Sequence, residues 1–161
     1  MPDVEPVPPG LGDVVDGRLG VVGIGVDAVD IPRLRLVLAR RPGLAGRVFT
    51  AGERAYAERS GDGVPRLANR FAAKEAVMKA LGVGLGAFAM AEVEVVRTGL
   101  DAPSLVLHGV AAARAAQAGV HRWHLSLSHT DELALAFVLA EGAPGEDGLP
   151  LSHAAPSGGT S

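Results

Sequence analysis

Residues 64–82, VPRLANRFAAKEAVMKALG, form the most strongly periodic segment of the sequence. Large apolar residues recur there at the spacing of a single helix face: Leu67, Phe71, Met78 and Leu81. This pattern predicts an amphipathic helix that begins near residue 64 and ends at Gly82. Glu75 lies about 40° around that helix from both Phe71 and Lys79, so its carboxylate is expected near the apolar stripe.

A carboxylate at a semi-buried helix position must be paired, hydrogen-bonded or bound to a metal, because an isolated buried charge is costly. Lys79 follows Glu75 by one turn, in the order that favours a salt bridge on the helix surface. A surface salt bridge and a metal ligand are therefore both open interpretations of Glu75.

A strand is predicted upstream at residues 19–31, LGVVGIGVDAVDI. Alternation gives it one face with branched apolar residues, namely Val22, Ile24 and Val26. Gly23, Gly25 and Asp27 share the other face, and the two glycines are expected to leave a hollow beside the carboxylate. Such a hollow suits a ligand or a hydrated metal ion. A glycine pair is also typical of a bulge or of close packing against a helix.

Two shorter helices are predicted between this strand and the long helix. Asp30 is a suitable cap for the first, with Pro32 near its first turn and a stop at residues 42–43. The second opens at Thr50, where Glu53 completes the spacing of a capping box, and it ends near residue 61.

The second half of the chain is expected to contain four strands and an alanine-rich helix that ends at Gly119. The strands are predicted at residues 91–97, 104–108, 122–130 and 133–141. The last two are separated by so few residues that they must pair antiparallel. We therefore expect one small α+β domain at residues 19–141, built from antiparallel strands and helices. Residues 1–18 and 142–161 are rich in Pro, Gly or Ser and are expected to be mobile tails.

Composition narrows the class of protein. The chain of 161 residues contains no cysteine, which excludes disulfides, thiolate metal sites and cysteine nucleophiles and fits a reducing cytoplasm. The acidic, proline-rich N-terminus is the opposite of a signal peptide, and no stretch approaches the ~20 apolar residues of a membrane span. We therefore expect a soluble cytoplasmic protein without membrane contact.

Charge is divided unevenly along the chain. Residues 33–79 carry eleven Lys or Arg against four Asp or Glu, whereas the segments on either side are acidic. This asymmetry predicts a basic surface for an anionic partner, although an ordinary solvated helix surface is the alternative. Nucleic acid is the weaker choice of partner, because few aromatic residues interleave the basic ones and the whole chain is acidic.

Two carboxylates on separate elements, Asp27 and Glu75, suit Mg²⁺, which takes a few carboxylates together with water and phosphate oxygens. Arg70, Lys74 and Lys79 on the same predicted helix would prepare such a site for a diphosphate. His129 ends the strand WHLSLSHT with the parity of its apolar residues, so it is expected to lean inward. A turn histidine bonded to Thr130 or to backbone is the alternative.

Four segments in this order resemble the holo-acyl-carrier-protein synthases, which are small phosphopantetheinyl transferases. They are GIGVDAVDI, FTAGERAYA, NRFAAKEAVMKALG and LSLSHT, and the resemblance covers about residues 21–140. It implies that the chain transfers the 4′-phosphopantetheine arm of coenzyme A to a serine of an apo-acyl carrier protein and releases 3′,5′-ADP. It also implies a homotrimer with active sites at the subunit interfaces.

The resemblance assigns roles to individual residues. Asp27 and Glu75 would bind Mg²⁺, and Lys79 would engage the pyrophosphate or the reacting oxygen. Arg70, His129 and Thr130 would contact phosphates of coenzyme A. The arginines of the first helix would dock the acidic carrier protein: Arg33, Arg35, Arg40 and Arg41. The proton acceptor for the serine stays open among Glu75, Asp27 and a metal-bound water.

Residues 100–103, Leu-Asp-Ala-Pro, depart from the family pattern, which often has a basic residue before this proline. The turn therefore lacks the basic residue through which the family pattern would contact the nucleotide, while the metal-site positions are unchanged. Two other functions fit the same residues. One is a different Mg²⁺-dependent phosphohydrolase acting on a nucleotide. The other is a non-enzymatic module that binds an acidic protein through residues 33–47.

Overall fold

The computed structural model describes residues 20–142. The predicted tails at residues 1–18 and 142–161 lie outside the described residues, apart from Gly142, which ends the last strand. Strand β1 comprises Gly20–Asp30, and it is followed by helices α1 (Ile31–Arg40), α2 (Gly43–Val48), α3 (Ala51–Glu58) and α4 (Val64–Ala80). After a short 3-10 turn at Met90–Glu92 come β2 (Val93–Val96), β3 (Ser104–Leu107), α5 (Gly109–Gln117), β4 (Val120–His129) and β5 (Leu133–Gly142).

The strands form two antiparallel sheets, which confirms the predicted α+β class. One sheet has the order β1-β5-β4, and the other consists of β2 and β3. β4 and β5 are the expected hairpin, and β5 lies in the centre of its sheet. The first strand of the domain pairs with the last along its whole length, from Gly20 opposite Gly142 to Asp30 opposite Leu133. The sheet that carries Asp27 is therefore completed only when the end of the domain is in place.

Helix α4 packs across the inner face of this sheet through small residues. Its apolar positions that are fully shielded from solvent are Ala68, Ala72, Ala73, Ala76 and Val77. The predicted stripe of large residues was only partly right, since Met78 is buried but Leu67, Phe71 and Leu81 stay partly exposed. Small side chains at the interface allow the helix backbone to approach β1 closely.

The close approach of α4 fills the predicted hollow over Gly23 and Gly25. A Cβ atom added at Gly23 would stand 1.8 Å from the carbonyl oxygen of Ala80, and one at Gly25 would stand 1.7 Å from that of Ala76. The expectation that the two glycines leave an empty pocket was wrong, and the alternative of close helix packing is confirmed. The glycines serve to bring α4 against β1 rather than to make room for a ligand.

A buried ion pair fastens α3 to α4. The Lys74 ammonium donates to Oε2 of Glu53 at 2.8 Å, and both side chains are completely buried. Lys74 also donates to the carbonyl oxygens of Met90 and Val93, and Glu53 accepts from the Val95 amide. Since every one of these charges is matched inside the core, Lys74 is not available for the diphosphate site that the sequence suggested.

Both predicted helix caps are present. The Asp30 carboxylate accepts the Arg33 amide at 2.8 Å and caps α1. Thr50 and Glu53 form the reciprocal capping box at the start of α3. The glycine-containing helix α2 was not predicted.

Candidate active site

Asp27 lies on β1 and faces α4, where it meets Lys79. The Lys79 ammonium donates to Oδ1 of Asp27 at 2.8 Å and to the carbonyl oxygen of Val26 at 2.9 Å. The Asp27 side chain is 12% exposed, whereas that of Lys79 is 54% exposed. A mostly buried carboxylate is thus paired with an ammonium group that is half exposed to solvent.

Glu75 is the second carboxylate of this site. Burial raises the pKa of Glu75, and the charge of Asp27 together with a hydrogen bond to Asp27 raises it further, while Lys79 acts in the opposite direction. The salt bridge that the sequence allowed between Glu75 and Lys79 is replaced by one between Asp27 and Lys79. Two neighbouring carboxylates with a single ammonium leave an excess of negative charge that favours a bound cation.

A cavity of about 430 Å³ opens beside these carboxylates. Its walls come from β1, α1, α2 and α4 and include Asp27, Asp30, Arg33, Phe71 and Glu75. Arg33 therefore connects the predicted docking helix with the carboxylate pair. The Asp30 cap of α1 was not singled out as a cavity residue from the sequence, because its place depends on how α1 packs.

The donor atoms fit a hard divalent cation. Residues 20–142 contain no group of three or more His, Cys, Asp or Glu side chains arranged to hold a metal. Mg²⁺ does not need such a group, because it commonly binds one or two carboxylates and fills its remaining positions with water and substrate phosphate oxygens. Asp27 and Glu75 meet this requirement.

Arg70 projects from α4 about 140° around the helix axis from Glu75. Its guanidinium carbon lies 4.2 Å from the centre of the Tyr56 ring, and the residue is 4% exposed. Within one chain Arg70 is thus not part of the cavity that holds the carboxylates. The Tyr56 ring was not identified from the sequence, since nothing local marks it as a partner of α4.

His129 and Thr130 lie at the end of β4, with β5 between them and β1. His129 is exposed, so the expectation that it leans inward was wrong. One ring nitrogen, Nδ1, is 3.2 Å from the carbonyl oxygen of Thr130, which matches the turn alternative. The Thr130 hydroxyl accepts the amides of Glu132 and Leu133 and so orders the turn into β5.

The predicted docking arginines line α1 and its end. Arg33, Arg35, Arg40 and Arg41 are all exposed, and Leu36 between them is 56% exposed. Arg35 donates from both terminal nitrogens to Asp62, at 3.0 and 2.6 Å. The remaining three arginines form no salt bridge within residues 20–142.

The sequence model of the 4′-phosphopantetheinyl transferase superfamily matches residues 23–138, which include the strand of Asp27, the whole of α4 and the β4–β5 turn. The chain belongs to this superfamily. Among curated members, a holo-[acyl-carrier-protein] synthase of Frankia casuarinae is 49% identical over 123 residues, covering 76% of this chain and 99% of that protein. A synthase of the same name from Streptomyces avermitilis is 46% identical over 125 residues, covering 77% and 100%.

Solved structures of transferases from this superfamily share the fold. The holo-[acyl-carrier-protein] synthase of Neisseria meningitidis superposes with a TM-score of 0.69 at 32% identity, over 75% of this chain and 98% of that one. A synthase from Bacillus anthracis, solved in complex with CoA (3′,5′-ADP), gives a TM-score of 0.63 at 32% identity, over 76% and 98%. None of the helices within residues 20–142 has the length and apolarity needed to cross a bilayer.

Proposed function

We propose that this chain transfers the 4′-phosphopantetheine group of coenzyme A to a serine of an apo-acyl carrier protein and releases 3′,5′-ADP. The superfamily membership and the names of the similar synthases support this reaction. The single observation that carries it is the convergence of Asp27, Glu75 and Lys79 beside a cavity that the basic helix α1 also lines.

The reaction needs positive charge at a diphosphate. The serine oxygen forms a bond to the β-phosphorus of coenzyme A, the bond from that phosphorus to the bridging oxygen breaks, and 3′,5′-ADP leaves with the electron pair. Asp27 and Glu75 would hold Mg²⁺, which when bound neutralises and orients the phosphates. The Lys79 ammonium, already fixed at Asp27, adds a second charge where negative charge develops. The serine proton passes to a base, for which Asp27 and Glu75 are the candidate carboxylates, since Asp30, the third carboxylate that lines the cavity, caps α1.

The acidic carrier protein would dock on α1. Three arginines of this helix region are free of salt bridges within residues 20–142, and exposed Leu36 adds an apolar contact among them. Arg33 borders the cavity with the carboxylates, so a carrier seated on α1 would present its serine close to Asp27 and Glu75. Long-range attraction between the arginines and an acidic carrier would accelerate association.

A homotrimer would complete the site. The outer face of the β1-β5-β4 sheet carries exposed apolar residues on two adjacent strands: Ile24, Val26, Leu133, Leu135 and Phe137. Such a contiguous patch is typical of a surface that binds another protein. In addition, Arg70, His129 and Thr130 lie away from the carboxylates of their own chain. In the proposed trimer these residues bind the phosphates of a coenzyme A molecule that lies between neighbouring subunits.

We place the reaction in the cytoplasm and in fatty acid biosynthesis. The lack of cysteine fits a reducing compartment such as the cytoplasm. Coenzyme A and carrier proteins are both used in fatty acid biosynthesis.

The proposal is tested by measuring the mass of the carrier protein before and after the reaction. The purified protein is incubated with Mg²⁺, coenzyme A and apo-acyl carrier proteins from fatty acid and polyketide synthesis, and each carrier is analysed by intact-mass spectrometry. We expect a gain of one phosphopantetheine group that is lost with a chelator and with a carrier whose acceptor serine is replaced by alanine. Unchanged masses for every carrier, at Mg²⁺ and coenzyme A concentrations that saturate a known synthase, would contradict the proposed function.

A further inference from the structure

Arginine side chains converge on the ring of Tyr56 in α3. The guanidinium carbons of Arg70, Arg66 and Arg59 lie 4.2, 4.8 and 5.9 Å from the ring centre. All three distances are within the range of a cation–π contact, which extends to about 6 Å. Arg97 approaches the same side chain: burial alone would raise the pKa of Tyr56, but the hydrogen bonding and charge of Arg97, with the charges of Arg66 and Arg70, lower it.

In the described part of the chain this cluster has no acidic partner of its own. Within residues 20–142, none of these arginines forms a salt bridge to a carboxylate. Arg70 is 4% exposed, and its Nε lacks a hydrogen-bond partner in the same part of the chain. The nearest buried carboxylate, Glu53, is engaged by Lys74. Crowded guanidinium groups and an unsatisfied buried donor are costly, which indicates that an anion belongs here.

Contacts within the protein hold the Tyr56 ring together with Arg66 and Arg70 of α4. Helix α3 is fixed by its capping box and by the buried pair between Glu53 and Lys74. Arg66 donates to the carbonyl oxygen of Tyr56 at 3.0 Å, and Arg70 donates to that of Arg66 at 3.1 Å. The ring thus supplies an electron-rich face against which two otherwise repelling guanidinium groups stack.

We propose that Tyr56 is a positioning residue whose ring holds Arg66 and Arg70 in the arrangement that binds a phosphate of coenzyme A. This inference rests on the proposed function, which makes Arg70 a phosphate contact. Tyr56 acts through the arginines and does not touch the reacting atoms. The aromatic face is what matters for this role, so phenylalanine can replace tyrosine and leucine cannot.

The test is the affinity for coenzyme A, measured by titration calorimetry on the wild type, Tyr56→Phe and Tyr56→Leu. We expect Tyr56→Leu to raise the Kd about tenfold with an unchanged number of sites, since it removes a stacked contact to two cations. Tyr56→Phe should stay within about threefold of the wild type, because the ring is retained. A merely structural role would lower the number of functional sites and the Tm without changing the Kd.

A double-mutant cycle with Arg70→Gln ties the effect to that arginine. Once Arg70 is removed, adding Tyr56→Leu should weaken binding by less than about threefold more. An unchanged Kd in Tyr56→Leu, equal weakening in Tyr56→Phe, or fully multiplicative effects with Arg70→Gln would each overturn the proposal. Calorimetry measures the binding of coenzyme A without turnover. A wild type that binds coenzyme A but leaves every carrier unmodified would therefore refute the proposed function and not the role of Tyr56.

Discussion

Gly25 and Ala76 meet backbone to backbone, at the point where β1 and α4 present their carboxylates. A Cβ atom at Gly25 would stand 1.7 Å from the carbonyl oxygen of Ala76 and 2.6 Å from its carbonyl carbon. Asp27 follows Gly25 by two residues on β1, and Glu75 precedes Ala76 on α4. The distance between the two carboxylates is therefore set by a contact that only glycine permits.

Gly25→Ala should destabilise the fold severely, because neither backbone can move away without breaking the sheet or the helix. We expect a loss of ~3 kcal/mol or more in the free energy of unfolding, measured by urea denaturation. Gly46→Ala in α2 is the matched control, since no atom of residues 20–142 outside its own helix backbone and chain neighbours lies within 4 Å of the added methyl group. The control should be unchanged or stabilised by ~0.5–1 kcal/mol. Equal stabilities of the two variants would show that β1 and α4 are not in backbone contact.

Glu75→Gln should lower the transfer rate and raise the stability of the metal-free protein. Because the pKa of Glu75 is raised by burial and then by Asp27, its ionised form destabilises the fold once the pH exceeds the ordinary value of 4.5. The Tm gain should therefore be present at neutral pH and vanish as the pH falls below that value. Transfer should fall about 100-fold or more if Glu75 holds Mg²⁺.

Exposed Glu58 supplies the control for Glu75→Gln. Glu58→Gln removes the same charge from α3 and should change neither transfer nor the pH dependence of the Tm. A Glu75→Gln variant that transfers at the wild-type rate, with a Tm gain that is independent of pH, would contradict the paired-carboxylate site.

Arg40→Glu should raise the KM for the carrier protein about tenfold at low salt and leave the KM for coenzyme A unchanged. The reason is that α1 would attract the acidic carrier over a distance, and salt screens such attraction. The difference from the wild type should therefore shrink at high ionic strength. Arg114→Glu in α5, an exposed arginine away from α1, should have little effect. Equal KM increases for both variants would indicate a general effect of net charge instead of docking on α1.

Phe137→Glu should convert the protein to a monomer in sedimentation velocity experiments, because it places a charge in the apolar face of the β1-β5-β4 sheet. Phe137 is 42% exposed in the single chain. Val106→Glu is the matched control, since Val106 is 39% exposed on the separate β2–β3 sheet. If the wild type already sediments as a monomer, the proposed homotrimer is wrong.

Local patterns in the sequence were sufficient for much of the fold. The Asp30 cap, the Thr50–Glu53 capping box and the β4–β5 hairpin each depend on residues a few positions apart, and all three are confirmed. The sequence also pointed to Asp27 and Glu75, since one lies in an apolar strand and the other lies at the edge of the apolar stripe of a helix.

Those local patterns could not predict contacts between segments that are distant in the sequence. The pattern of Gly23 and Gly25 fits both a hollow for a ligand and close packing against a helix, and only the position of α4 distinguishes these two alternatives. Lys74 looked like a ligand for phosphate until its partner Glu53, on another helix, was visible. His129 has the parity of buried residues, but the strand ends before the core covers it.

The most direct test of the account compares wild type and Asp27→Asn in the intact-mass assay, at equal concentrations of coenzyme A, Mg²⁺ and apo-carrier. Asparagine keeps the shape of the side chain and removes the charge that pairs with Lys79 and would bind the metal. We predict that the wild type converts the carrier completely while Asp27→Asn, equally folded by circular dichroism, converts none in the same time. Conversion by Asp27→Asn at the wild-type rate would contradict the central claim that Asp27 and Glu75 form the metal site of the transferase.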